Sequence, residues 1–85
     1  RMDIIYPEHG DMITLPRGFD GVGETMVMQA AHVLPDETVY WYIDDEFIGA
    51  TVGTHEMTAA PEPGEHLLSL TDSRGNRRKI VFTVR

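Results

Sequence analysis

The stretch TVYWYIDDEFIGAT, residues 38–51, reads as two strands joined by a tight turn. Within Thr38–Asp44 the side chains alternate, with Val39, Trp41 and Ile43 on one face and Tyr40 and Tyr42 on the other. β-Branched and aromatic residues suit such a half-buried pleated surface. Trp41 belongs inside because both of its neighbours at two-residue spacing are β-branched. Asp44-Asp45 then makes a type I′ hairpin turn, whose central residues take positive φ, which aspartate accepts at some energetic expense. The return strand covers Glu46–Thr51, and Gly49 marks its end or a kink in it.

The same rhythm continues on both sides. Ile4–Tyr6 reads as a first edge strand stopped by Pro7, and Met12–Leu15 as a short second one closed by Pro16-Arg17-Gly18. Residues 19–23 hold two glycines and read as a loop or bulge. Glu24–His32 sets Met26, Met28 and Ala30 against Thr25, Val27 and Gln29. Methionine, glutamine and alanine favour helix, but the run is short and lies among strand signals. Leu34-Pro35-Asp36-Glu37 is a turn with proline presetting the backbone angle. Val52–Ala59 alternates weakly, and Pro61-Glu62-Pro63-Gly64 resets the chain. Glu65–Thr71 places His66, Leu68 and Leu70 on one face and Leu67, Ser69 and Thr71 on the other. After the tight turn at 72–76, Arg78–Arg85 closes a last hairpin with Ile80, Phe82 and Val84 inward. Turn signals every eight to twelve residues, with no helical spacing, predict an all-β fold. The expected architecture is an immunoglobulin-like antiparallel β-sandwich of seven to eight short strands, without a disulfide because cysteine is absent.

Eighty-five residues make one domain, residues 1–85, with a single thin core. A chain of this size buries only about 60–65% of its unfolded surface, so nearly every inward position must be apolar. No apolar run approaches the length of a membrane span. The chain starts at Arg1 rather than methionine and is expected to be a piece of a longer protein. Its formal net charge is −7, and such an acidic body repels phosphate backbones, which excludes nucleic acid as a partner. All 14 acidic residues lie between Asp3 and Asp72, whereas Arg74, Arg77, Arg78, Lys79 and Arg85 follow them. This basic end reads as a solvated strand balancing its acidic neighbours, or as half of an internal electrostatic match.

Three groups of residues carry a further signal. Ile4-Ile5-Tyr6-Pro7 with Gly10-Asp11 is one, and Trp41-Tyr42-Ile43-Asp44-Asp45 with Phe47-Ile48-Gly49 is another. The most specific is Pro63-Gly64-Glu65-His66-Leu67-Leu68 with Leu70, Asp72 and Gly75. Over nearly the whole chain they resemble the C-terminal domain of bacterial type C penicillin-binding proteins, the bifunctional peptidoglycan glycosyltransferase/transpeptidases. Such domains usually carry glycine where this hairpin has Asp45. The resemblance implies a module at the C-terminus of a larger synthase, periplasmic and anchored to the inner membrane through its parent. It also implies that neither synthase activity resides in this domain, and it names an α2-macroglobulin-like protein as one candidate partner.

The candidate chemistry is sparse. His9, His32, His55 and His66 lack chelating spacing, so no metal is expected, and no cofactor either. Asp44, Asp45 and Glu46 are explained by turn chemistry, since a two-residue hairpin cannot wrap a calcium ion. Asp72 followed by Gly75 reads as a structural turn, and the hydroxyl residues lack a histidine-carboxylate partner at motif spacing. Tyr40 and Tyr42 stand apart, because two rings on the outer face of one strand offer rigid contact area to a protein or a sugar. The expected function is a non-catalytic interaction module that docks to a periplasmic protein or to the parent's own catalytic domains. A peptidoglycan-binding module and a purely structural spacer are the alternatives.

Overall fold

Trp41 is fully buried, and the strands form two layers around it. The computed structural model describes residues 1–19 and 23–85, which form eight strands and, among the described residues, no helix. One sheet has the order β1 (Met2–Tyr6), β3 (Met26–His32), β6 (His55–Ala59). The other has the order β2 (Met12–Ile13), β8 (Arg77–Val84), β7 (Gly64–Asp72), β4 (Thr38–Ile43), β5 (Glu46–Val52).

Two-residue alternation decides what enters the core. Met26, Met28 and Ala30 of β3 are buried while Val27 and Gln29 face out. Val39 and Trp41 of β4, Leu68 and Leu70 of β7, and Phe82 and Val84 of β8 meet them from the opposite layer. The polar edge of the tryptophan is satisfied, since its Nε1–H donates to Thr51 Oγ1 at 2.9 Å. Thr51 Oγ1 also lies within hydrogen-bond distance of His55 Nδ1, 2.8 Å away. Burial, assisted by nearby His32, pushes His55 below the usual histidine range and favours its neutral form.

The Trp41 hairpin turns through Asp44 and Asp45 at φ 52° and 66°, the two positive angles of a type I′ turn. Opposite Trp41 lies Gly49 at φ 150°, where an added Cβ would stand 2.7 Å from Met57 Cε. The register shifts between Trp41 and Tyr42, so β5 kinks near Gly49 and then continues to Val52.

At the other end of the sandwich the buried Asp72 carboxylate ties the last turn. It accepts from the Arg74 and Asn76 amides, each at 2.9 Å, and from Asn76 Nδ2 at 2.8 Å. His32 adds a contact of 2.7 Å from Nε2, which must be the donor because Nδ1 accepts from the Leu34 amide. Burial alone would raise the Asp72 carboxyl, but these donors together hold it well below the usual carboxylate range. Glu37 caps the same turn through the Ser73 amide, 2.9 Å away, and the Ser73 hydroxyl.

Several elements differ from expectation. The second strand is two residues long and runs parallel to β8, with Met12 opposite Thr83 and Ile13 opposite Val84. Pro16 offers no N–H to extend it, although Leu15 still packs against the core. The first strand starts earlier, at Met2, and the third later, at Met26. Val52 belongs to β5 rather than β6, because Gly53 at φ 78° turns the chain between them. The loop expected over 19–23 falls largely outside the described residues, with Arg17 and Gly23 bridged at its base.

Candidate functional site

Inward placement of Val39 and Trp41 forces Tyr40 and Tyr42 onto the outer face of the five-stranded sheet, where both are half-buried. Tyr42 meets Phe47 edge-on, with ring centroids 5.6 Å apart, and Phe47 itself is 55% exposed. Neighbouring strands extend the surface in register. Tyr42 faces Ser69 of β7, which faces Lys79 of β8, while Tyr40 faces Thr71, which faces Arg77. Adjacent strands lie about 4.8 Å apart, so each row spans about 10 Å. Three columns result: aromatic on β4, hydroxyl on β7 and cationic on β8. A groove of about 270 Å³ runs among Tyr42, Asp45, Ser69, Thr71, Arg77 and Lys79.

Sequence reasoning found the aromatic column and missed the other two. Arg77 and Lys79 carry a signal, since residues two positions apart and out of phase with Phe82 must share its opposite face. Their coincidence with Ser69 and Thr71 depends on strand register. The internal electrostatic match is confined to one of the five C-terminal cations. Among the described residues, Arg74 pairs with Glu37 at 3.5 Å, while Arg77, Arg78, Lys79 and Arg85 make no ion pair.

The histidines are distributed through the sandwich rather than gathered. Val81's amide donates to His9 Nδ1, His32 supports Asp72, and His55 supports Thr51. His66 faces inward against Phe82, as its alternation requires, with centroids 5.6 Å apart. Its Nε2 donates to the Glu62 carbonyl and its Nδ1 to Asp44 Oδ2, both at 2.6 Å, so both nitrogens carry protons. Burial would lower His66, but the carbonyl and the carboxylate outweigh it and raise its pKa. Asp44 also accepts the Leu67 amide at 2.9 Å. Together these bonds fix the hairpin turn to the start of β7. Among the described residues, no three histidine, aspartate or glutamate side chains converge as metal ligands would. The Thr51–His55 contact is occupied by the Trp41 N–H and, among the described residues, has no carboxylate behind it.

The geometry is that of a two-sheet β-sandwich with a mixed aromatic and cationic outer face. Among solved structures the chain is similar to the fibronectin(III)-like modules of Clostridium thermocellum CbhA, with a TM-score of 0.74 and 14% sequence identity. That alignment covers 100% of this chain and 96% of that one, and at such low identity it speaks for the fold. A search of curated proteins finds none that matches. The model of the Penicillin-Binding Protein C-terminus Family matches residues 1–82. Because the Trp41 hairpin, the His66 strand and the Asp72 turn all lie within those residues, this chain belongs to the penicillin-binding protein C-terminus family.

Proposed function

We propose that the domain is a non-catalytic docking module of a periplasmic, membrane-anchored peptidoglycan synthase, and that it docks through the outer face of the five-stranded sheet. The occupant is a protein surface, either the parent's catalytic domains or a periplasmic partner such as an α2-macroglobulin-like protein. The observation that carries this reading is the apposition of Phe47, Tyr42 and Tyr40 to the unpaired cations Arg77 and Lys79. Aromatic and arginine side chains are the residues most enriched where protein interfaces concentrate their binding energy. Family membership supports the accessory role and the periplasmic setting.

Site-specific photo-crosslinking in the full-length synthase tests it. A photoreactive residue at position 40 or 42 should give discrete adducts, and one at Val27, exposed on the opposite sheet, should give none. Equal labelling at all three positions, or no adduct at 40 and 42, refutes the docking face.

One observation favours the glycan-binding alternative. The two unpaired cations remove, on this face, the repulsion that the overall acidity would impose on anionic wall peptides. Under the docking reading the domain stays in solution when purified sacculi are sedimented. Co-sedimentation abolished by Tyr40→Ala and Tyr42→Ala would replace docking with wall binding.

A further inference from the structure

The hydroxyl column contains an anomaly. Ser69 is only 6% exposed and lines the groove, yet its Oγ has no hydrogen-bond partner among the described residues. Buried polar groups are nearly always paired, so an orphan at the floor of a groove calls for an explanation. The other lining groups supply one. Arg77 and Lys79, two residues apart on β8, flank Ser69 and Thr71 and, among the described residues, make no ion pair. In a chain of net charge −7, two cations that make no ion pair among the described residues, beside an unpaired hydroxyl, form an anion-seeking constellation.

We propose that the groove between β4, β7 and β8 is a binding site for a peptide carboxylate. The carboxylate accepts from the Ser69 hydroxyl at the floor and from Arg77 and Lys79 at the rim, and the attached chain lies against the Tyr42 ring. Asp45, on the same rim, shapes the choice of anion. Its negative charge opposes a phosphate dianion more strongly than a monoanion, and it accepts an N–H from the peptide that carries the carboxylate. The proposal rests on the outer sheet face as the docking surface and names the group recognised there. It requires no partner protein to test, so its failure and the failure of the docking reading are separable.

The test is a titration of the isotopically labelled chain followed by amide chemical shifts. The probe is N-acetylglycine, a carboxylate carrying one peptide group, with N-acetylglycinamide and inorganic phosphate as comparisons. N-acetylglycine should give saturable shifts centred on Ser69, Thr71, Arg77 and Lys79, and the neutral amide should give none. A hydrogen bond to a charged group is worth about 1.5–3 kcal/mol, so Ser69→Ala should weaken binding by on the order of tenfold or more. The same variant should melt no lower than the parent, because it removes an unsatisfied buried hydroxyl. Arg77→Gln together with Lys79→Gln should abolish the shifts. Equal shifts with the neutral amide, absence of shifts at these residues, full binding by Ser69→Ala, or tighter binding of phosphate would each overturn the proposal.

Discussion

Truncating Trp41 to alanine tests the architecture most directly. The side chain is fully buried, in the layer it shares with Leu70 and facing the sheet that carries Met28, and truncating a buried tryptophan costs about 3–5 kcal/mol. Its hydrogen bond to Thr51 adds little, because Thr51 keeps His55 as a partner and no polar group is orphaned. The flexible end of Met57, beside Gly49 on the strand opposite, can relax toward the void and draws the expected loss toward the lower half of that range. At about 0.05–0.15 kcal/mol per residue the domain has roughly 4–13 kcal/mol in total. Trp41→Ala therefore leaves it marginal, and with a urea slope of about 1 kcal/mol/M the midpoint should fall by about 3 M. The assay is far-UV circular dichroism, since the variant loses the sole tryptophan as a fluorescence probe. Tyr40→Ala, on the outer face, should cost about 1 kcal/mol. If Tyr40→Ala lowers the midpoint more than Trp41→Ala does, the strand is flipped and the docking face is the core.

Two further outcomes follow from the buried polar groups. His66, raised, stabilises the fold below its unfolded value near pH 6.5, and this contribution is lost as pH rises through the folded value. His55, lowered, contributes above pH 6.5 and the contribution is lost as pH falls. Imidazole titration by NMR should place His66 above 6.5 and His55 below it, with Asp44→Asn bringing His66 down; the reverse order contradicts the assigned partners. Asp72→Ala strips four donors of their acceptor and should cost on the order of 3 kcal/mol at neutral pH. That gap should narrow as acid protonates the parent's carboxylate below the ordinary aspartate range, and a gap independent of pH would show that Asp72 does not act through its charge.

What the sequence disclosed and what it withheld divide along physical lines. Period-two alternation in β3, β4 and β7 is local, so the burial of Met28, Trp41 and Leu70 could be read from a few neighbouring residues. The Asp44-Asp45 and Asp72–Gly75 turns were legible for the same reason. The pairing of Met12 with Thr83 joins residues 71 positions apart, and no local pattern encodes it. The groove has the same character. Ser69 and Lys79 are unremarkable one at a time and join Tyr42 in a surface only when three strands fix their register. His66 was legible as an inward residue at the start of its strand, whereas its two partners, Asp44 and Glu62, needed the tertiary contacts.

The parallel pairing of β2 with β8 also sets an order of events during synthesis. All three strands of the smaller sheet have been made once residue 59 emerges, but the larger sheet then holds only β2 and the β4–β5 hairpin. Both strands that separate these pieces, β7 and β8, are still to come. A nascent chain at that stage exposes Trp41 without the Leu68, Leu70 and Phe82 side chains that cover it. Closure waits for β8 and the residue after it, where Arg85's amide reaches the Ile13 carbonyl at 2.9 Å. The larger sheet is thus built from its two edges inward, and a ribosome that stalls before Arg77 leaves behind an apolar half-shell suited to capture by a chaperone.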